Sequence, residues 1–202
     1  MSADLPDGFR ESARQRLKGF ARQIAGGEGL APAAVAVVLL PNRPGRPCFL
    51  LTRRAATLRR HAGQWALPGG RCDPGEPAAA AAVRELGEEL GVPASEVEVA
   101  GELDDYVTRS GYVITPVVLL AAPIARLRPN LAEVAAAYRV PLEVLAVPMP
   151  QTPAGGETVR YRVLGRVLNP PTAAILHQLA ELVLNGRTVR VGHFAQPEFT
   201  WR

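Results

Sequence analysis

The spacing of apolar and polar residues divides the chain into short segments with strand or helix character. The run from Ala33 to Leu40 is almost entirely apolar and rich in valine, which favours a strand buried on both faces. A turn rich in proline and glycine follows from Pro41 to Pro47, and Cys48 to Thr52 supplies an apolar partner. These two strands are therefore predicted to form a hairpin.

Five further segments lack the apolar spacing of a long helix. Val97 to Leu103, Tyr112 to Ala121 and Arg160 to Val167 are predicted strands, because apolar and β-branched residues dominate them. Leu131 to Tyr138 and Leu142 to Val147 are predicted to be short helical or mixed segments. The chain thus contains several strands between its helices.

Three helices are predicted from apolar residues at helical spacing. The first covers Phe9 to Ala25 and ends at a group of glycines. The second runs from Pro77 to Leu90, and Gly91 ends it in the usual C-terminal way. The third covers Thr172 to Asn185. Packing of the first helix on the domain is expected, with a contact in a homodimer as the alternative.

The mixture of strands and helices predicts an α/β or α+β protein with a mixed sheet. The 202 residues suffice for one domain with a full core, and no linker long enough to separate two domains is present. We therefore predict a single domain over residues 1–202. It has an N-terminal helical extension over 1–29, a core over 33–147 and a C-terminal strand and helix over 148–202.

Composition narrows the possible partners. Lys and Arg together number 23 and Asp and Glu 19, so the net charge is +4 and favours an anionic ligand. No dense basic run with aromatic residues occurs, so no nucleic-acid partner is expected. The longest apolar run contains Pro32 and is too short to cross a bilayer, and no secretory signal is recognised. We expect a cytoplasmic protein without a membrane partner. Cys48 and Cys72 form no zinc-binding pattern, and a disulfide between them is possible but not required.

Three carboxylates lie at helical spacing near the end of the second predicted helix. Glu85, Glu88 and Glu89 occupy positions i, i+3 and i+4, which places them on one helix face. Like charges repel there, so the arrangement costs stability unless a cation lies among them. Carboxylate oxygens without nearby His or Cys favour Mg²⁺ or Mn²⁺. A solvated acidic helix surface is the alternative interpretation.

The positions around these glutamates resemble the Nudix box, GX5EX7REUXEEXGU with U an aliphatic residue. In residues 70–92 Gly70 begins the pattern, Glu76 and Arg84 fill its next charged positions, and Val92 ends it. The resemblance implies a Nudix-type α/β/α sandwich and metal-assisted hydrolysis of a diphosphate linkage. It implies that the three glutamates and the carbonyl of Gly70 bind the metal. It also implies that Glu76 and Arg84 pair with each other as structural residues.

The reaction needs a carboxylate that removes a proton from the attacking water. The resemblance leaves two positions for this general base, because family members use either a box glutamate or one from a later loop. Glu85 is the candidate inside the box and Glu133 the candidate outside it. Glu102 and Asp105 are further alternatives.

The residues upstream of the box resemble the coenzyme A diphosphatase branch, whose pattern is LLTxRxxxLxxHxGQxxFPGG. From Leu50 to Gly70 the chain reads LLTRRAATLRRHAGQWALPGG, with Leu67 in place of phenylalanine. At Asn169 to Thr172 the branch usually carries Trp-Gly before Thr-Ala, and only the Thr-Ala remains here. The resemblance implies cleavage of coenzyme A or acyl-CoA to 3′,5′-ADP and 4′-phosphopantetheine or its acylated form.

The same segment supplies candidates for substrate contacts, which are Arg53, His61 and Gln64. Coenzyme A carries a 3′-phosphate as well as its diphosphate, so additional donors suit it. A purely structural role for His61 is the alternative. Tyr106 and Tyr112 are candidates for stacking on adenine, with packing between strands as the alternative. The neighbouring arginines at positions 59 and 60 are expected to be solvated surface charges.

Two other functions remain open from the sequence. The first is hydrolysis of a different nucleoside diphosphate derivative, such as ADP-ribose, a dinucleotide or a damaged nucleoside triphosphate. The second is a catalytically silent nucleotide sensor, since folds can lose chemistry and keep binding. The complete set of box glutamates favours an enzyme over the sensor.

Overall fold

The computed structural model describes residues 5–43, 45–58, 61–124, 126–149 and 157–196. Three α-helices occur in these ranges: α1 Asp7–Lys18, α2 Ala78–Leu90 and α3 Thr172–Val183. Ten strands accompany them: β1 Ala31–Arg43, β2 Arg46–Arg54, β3 Trp65–Ala66, β4 Gly69–Arg71, β5 Val97–Glu102, β6 Tyr106–Val107, β7 Tyr112–Ala121, β8 Val134–Pro141, β9 Tyr161–Val163 and β10 Arg166–Leu168. Two short 3₁₀ helices cover Ala94–Glu96 and Leu142–Leu145.

A mixed sheet forms the centre of the fold. β1 pairs with β7 in parallel and with β2 in the predicted antiparallel hairpin. β8 pairs with β2, and β5 and β6 pair with β7, all antiparallel. The short strands β3 and β4 pair with the ends of β2 and β1, where those two strands diverge. These two short strands carry the loop before α2 onto the sheet.

Each face of the sheet is covered by helices. On β1, Ala36 and Val38 belong to the core shared with α2, whereas Val37 and Leu39 belong to the core shared with α1 and α3. Because successive side chains of a strand point to opposite faces, a strand buried on both sides reads as a continuous apolar run. The predicted α/β/α sandwich with a mixed sheet is therefore confirmed.

The N-terminal helix is shorter than predicted. It ends at Lys18, and Ile24, which the pattern placed on its apolar face, is 80% exposed. The residues from 20 to 27 form an irregular segment instead, called the arm below. Arg22 of this arm donates to the Asp105 carboxylate at 2.6 Å, and the Asp105 amide donates to the arm's backbone. These contacts to distant residues replace the predicted helical turns.

The segment after β7 also differs from the prediction. Leu131 to Tyr138 was expected to be helical or mixed, but most of it belongs to β8. Its alanines favour helices locally, so pairing with β2 along seven positions overrides the local preference. The predicted strand from Arg160 to Val167 is a hairpin of β9 and β10, which turns at Leu164 and Gly165 with positive φ at both residues.

Two further expectations concern the environment of the chain. No helix within the described ranges is long and apolar enough to cross a membrane. Both cysteines are free. Cys48 is buried, and its thiol donates to the Leu40 carbonyl at 3.2 Å.

Candidate active site

Pairing of Glu76 with Arg84 holds the loop after β4 against α2. Arg84 Nε and Nη2 donate to the two Glu76 oxygens at 2.9 Å each, and Nη2 also donates to the Arg71 carbonyl at 3.0 Å. The Asp73 amide donates to Glu76 at 2.9 Å. The Arg84 hydrogen bonds, followed by this amide, lower the pKa of Glu76 to about 2. The loop is thus fixed by a bidentate ion pair.

Two consecutive glycines allow the backbone of β4 to approach its neighbours closely. A Cβ on Gly70 would lie 2.7 Å from Cδ of Glu85, and a Cβ on Gly69 would lie 2.7 Å from Cα of Val35. Real Cβ atoms do not approach other atoms so closely, so any side chain here would displace its neighbour. The Glu85 carboxylate therefore lies directly over the backbone of Gly70.

The three box glutamates differ strongly in burial. The side chain of Glu88 is 55% exposed, that of Glu85 13% and that of Glu89 only 4%. The alternative interpretation, a solvated acidic helix surface, therefore does not fit Glu89. Its Oε2 is buried and has no hydrogen-bond partner within the described residues. Nη1 of Arg54 lies 4.0 Å from its Oε1.

Burial favours the protonated form of Glu85 and Glu89. The pKa of Glu89 is raised to about 8, mainly by burial, although the positive charge of Arg54 opposes this. Burial also raises the pKa of Glu85, against the hydrogen bond from Arg84. The negative charge of Glu133 raises the pKa of both groups further. A nearby cation would relieve this cost.

The donor set fits a hard divalent cation, although the carboxylates do not converge on one point. No three acidic, His or Cys side chains of the described residues are gathered closely enough to form a complete set of metal ligands. Nη1 of Arg84 explains part of this, because it donates to Glu85 at 2.9 Å and to Glu88 at 3.1 Å. The unpartnered oxygen of Glu89 is the observation that favours a cation, since Mg²⁺ and Mn²⁺ prefer oxygen ligands.

Glu133 lies next to the C-terminal turn of α2. The Asn130 amide donates to the Glu89 carbonyl at 2.9 Å, which fixes the loop that precedes β8 against the helix. The Glu133 carboxylate accepts one long bond, 3.3 Å, from the Asn130 side chain. The two other candidate bases are engaged elsewhere, because Arg22 forms ion pairs with both Glu102 and Asp105.

A cavity of about 330 Å³ lies between the sheet and the start of α3. It adjoins the segment of residues 69–77, which is called the box loop. His61 and Gln64 line it, as does Arg54, whereas Arg53 is exposed and is not among its lining residues. The lining also includes Ala33, Ala34, Val35, Trp65, Ala66, Leu67, Gly69, Gly70, Arg71, Thr108, Ser110, Tyr112, Ile114, Pro171, Thr172, Ile175 and Gln196. The arginines at positions 59 and 60 lie outside the described residues.

Sequence reasoning missed Arg54. The upstream pattern has one variable position between its threonine and its arginine, and counting from Thr52 places that arginine at Arg54 rather than Arg53. Neighbouring residues of β2 point to opposite faces, so only one of the two arginines can face the cavity. Nε of Arg54 is buried without a hydrogen-bond partner among the described residues. The spacing of the upstream pattern is the sequence signal that identifies Arg54.

The two tyrosines differ in position. Tyr106 is buried and its hydroxyl donates to the Phe194 carbonyl at 2.6 Å, in agreement with packing rather than stacking on a ligand. Tyr112 lines the cavity, where Nε of Arg71 donates to its hydroxyl at 3.1 Å. The guanidinium of Arg71 lies 5.2 Å from the centre of the Tyr112 ring, within cation–π distance.

Comparisons with known proteins agree with this geometry. Residues 30–161 match the NUDIX domain. A relative from Photorhabdus laumondii, named "Uncharacterized Nudix hydrolase NudL", is 42% identical over 158 residues, which cover 73% of this chain and 84% of the relative. A relative of the same name from Citrobacter koseri is 40% identical and covers 60% of this chain and 64% of that protein. The crystal structure of the Nudix hydrolase RenU from M. smegmatis is similar with a TM-score of 0.56, at 26% identity, over 82% of this chain and 93% of that one.

Proposed function

The chain belongs to the Nudix hydrolase family, and on that premise we propose that it hydrolyses the diphosphate linkage of coenzyme A or an acyl-CoA. The products are 3′,5′-ADP and 4′-phosphopantetheine or its acylated form. One observation carries the proposal. His61 and Gln64, from the coenzyme A pattern, line the same cavity as Gly70, over which the Glu85 carboxylate lies. Residues of the two motifs therefore meet at one place.

A divalent cation, Mg²⁺ or Mn²⁺, would be held by Glu85, Glu88, Glu89 and the carbonyl of Gly70. When bound, it neutralises charge that develops on the diphosphate and acidifies water. The carboxylates supply the negative charge that selects the cation. The unequal burial of the three glutamates gives one deep ligand, Glu89, and one that solvent reaches, Glu88.

The basic residues of the cavity would orient the diphosphate. Arg54 and Arg71 are permanently charged donors, and His61 adds a ring nitrogen. A guanidinium binds phosphate oxygens through two parallel hydrogen bonds, which fixes orientation as well as affinity. Arg54 lies between Glu89 and the cavity, so it connects the metal ligands with the substrate site.

Glu133 is the better candidate for the general base. Oε1 of Glu85 already accepts a hydrogen bond from Arg84, and this carboxylate lies against the backbone of Gly70. Glu133 lies close enough to influence both Glu85 and Glu89, and among the described residues its carboxylate accepts a long side-chain bond from Asn130. A base must reach the water on its way to phosphorus, and the freer carboxylate meets that requirement more readily.

A different nucleoside diphosphate derivative is the second candidate substrate, and one observation favours it. Pro171, from the part of the segment that departs from the coenzyme A pattern, lines the cavity. A change in the wall of a substrate site alters which substrate fits, while the box chemistry stays the same.

A turnover panel tests the proposal. Purified protein with Mg²⁺ or Mn²⁺ is given coenzyme A, acetyl-CoA, ADP-ribose, NADH, diadenosine polyphosphates and 8-oxo-dGTP, and the products are separated by chromatography. Preferred release of 3′,5′-ADP from coenzyme A supports the proposal. Preferred cleavage of another compound refutes the substrate and keeps the chemistry. Metal binding without any cleavage refutes the enzyme and favours the nucleotide sensor.

A further inference from the structure

A second cavity, of about 190 Å³, continues the first one toward β10. Gln64, Trp65, Pro171 and Thr172 line both cavities, so the two form one groove with a shared boundary. The groove has one end beside the box loop and the other beside the hairpin of β9 and β10. A ligand whose diphosphate lies at the box end would extend into this second cavity.

The two ends of the groove differ in charge. The first cavity includes Arg54, His61 and Arg71 in its lining. Within the described residues, no Lys, Arg, His, Asp or Glu lines the second cavity. Its walls are Gln64, Trp65, Val167, Leu168, Asn169, Pro170, Pro171 and Thr172. A charged group placed there would lose hydration without gaining a counter-charge, which disfavours its binding.

Neutral polar groups remain available in the second cavity. Thr172 is 9% exposed, and it lines this cavity together with Gln64 and Asn169. The side-chain amide of Asn169 donates a long bond of 3.5 Å to the Val167 carbonyl. A hydroxyl and an amide that line a cavity can each donate a hydrogen bond to a ligand and accept one from it. The described lining of the second cavity therefore offers hydrogen bonds from neutral groups but no counter-charge for an ion.

Trp65 gives the second cavity a rigid apolar wall. Its ring lies against Tyr138, with 4.9 Å between ring centres and 40° between planes. Pairing of β3 with β2 fixes its backbone. Aromatic side chains packed from behind present a large surface with little loss of conformational entropy when a ligand binds.

We propose that the second cavity binds the uncharged arm of the substrate, the half that lies beyond the diphosphate from the nucleoside. Trp65, Asn169 and Thr172 select an elongated arm that carries amide or hydroxyl groups on a partly apolar chain. An arm with a further phosphate or a second charged nucleotide is disfavoured there. This proposal rests on the proposed function and adds the substrate feature that the site selects.

Direct binding of pantetheine, the uncharged arm alone, tests the proposal without turnover. The chain has two tryptophans, so a Trp201→Phe background leaves Trp65 as the source of indole fluorescence. Saturable quenching by pantetheine is expected in this background. Asn169→Phe, which fills the second cavity, should abolish the quenching. Arg71→Ala is the matched control in the first cavity, and it should weaken binding of 3′,5′-ADP and leave the pantetheine response unchanged.

Kinetics separate this proposal from the proposed function. Asn169→Phe is expected to raise the KM for coenzyme A about tenfold or more, the usual effect of blocking a subsite. It should leave the inhibition constant of 3′,5′-ADP, which has no arm, unchanged. Thr172→Val, which has nearly the same shape, provides a second variant whose fold is preserved, and it should raise the same KM.

The outcomes are distinguishable. Coenzyme A hydrolysis with neither variant affecting KM, and without quenching by pantetheine, overturns the second cavity as a subsite and keeps the proposed function. Quenching that Asn169→Phe abolishes, in a protein that does not hydrolyse coenzyme A, supports the subsite and refutes the proposed substrate. Circular dichroism of each variant confirms that the fold is intact.

Discussion

Replacement of Glu89 by glutamine tests whether this carboxylate is a buried charge that a cation must stabilise. Its Oε2 has no hydrogen-bond partner among the described residues, and burial raises its pKa from 4.5 to about 8. The folded, metal-free protein therefore retains a proton that the unfolded chain releases above its ordinary pKa. The protonated Glu89 therefore favours the folded state. This contribution to the free energy of unfolding is complete below about pH 4.5 and is lost as the pH rises toward 8.

The size of the effect follows from the two pKa values. Their difference corresponds to about 4 kcal/mol near pH 8, at about 1.4 kcal/mol per pH unit. Glutamine avoids this cost but buries an amide without a partner, at about 2 kcal/mol. Without metal, the Glu89→Gln variant is expected to have a free energy of unfolding about 2 kcal/mol above that of the parent near pH 8. This corresponds to a Tm about 4–8 °C higher. The advantage should vanish near pH 6, where the two costs are about equal.

Thermal unfolding followed by circular dichroism measures this difference after divalent cations have been removed with a chelator. Addition of Mg²⁺ at about a hundred times its Kd should then stabilise the parent by about 2.7 kcal/mol and the variant far less. Glu88→Gln is the control, because it makes the same change at an exposed carboxylate. It should alter metal-free stability by less than about 0.5 kcal/mol.

Turnover provides the functional half of the test. Glu89→Gln should reduce it by orders of magnitude, since a ligand charge is lost while the fold is kept. Two results would refute the reasoning. One is a metal-free variant that is less stable than the parent near pH 8. The other is a variant with full turnover and an undiminished response to Mg²⁺.

Three further variants address the base, the backbone and the loop. Glu133→Gln should lower kcat without raising KM, and an unchanged rate would transfer the role of general base to Glu85. Gly70→Ala should fold but bind Mg²⁺ weakly, because the added methyl displaces the Glu85 carboxylate; a Mg²⁺ titration of Tm checks this, and a parental response argues against the close approach. Glu76→Gln removes a carboxyl group whose pKa Arg84 lowers to about 2. In the parent, this carboxylate contributes stability above about pH 4.5, and the contribution is lost as the pH falls toward 2. Tm of the Glu76 variant should therefore fall less between these pH values than that of the parent, and parallel curves would contradict the pairing.

The local sequence pattern was sufficient to predict those helices and strands whose tertiary contacts favour the same secondary structure as their own residues do. The box helix has helix-forming alanines in its first turns and Gly91 with φ 66° at its end, so α2 matches its prediction closely. The residues of β1 that lie in the two cores are apolar on both faces of the strand, because helices cover both faces. In these elements the local preference and the tertiary environment favour the same structure.

The misses arise where long-range contacts oppose the local preference. The alanines of β8 favour a helix, yet β2 supplies a complete edge for them to pair with. The arm after α1 continues an apolar helical pattern, yet its Arg22 binds carboxylates about eighty positions further along the chain. Such contacts leave no periodic signal in the segment that makes them. The burial of Glu89 is hidden for the same reason, because Arg54 and the loop before β8 create it from elsewhere.

The charges around the box explain how three neighbouring carboxylates coexist in a folded chain. Two arginines supply positive charge at opposite sides of the group: Arg84 contacts Glu85 and Glu88, and Arg54 faces Glu89. Arg84 is also bound by Glu76, so its position is fixed, and it satisfies the more exposed carboxylates well. Arg54 satisfies Glu89 poorly: the two groups are 4.0 Å apart, and each side chain has a buried atom without a hydrogen-bond partner in the part of the chain that the structure describes. The deepest glutamate is therefore the one with most to gain from a cation, and Arg54 is the arginine most readily released from its carboxylate to bind an anionic ligand in the adjoining cavity.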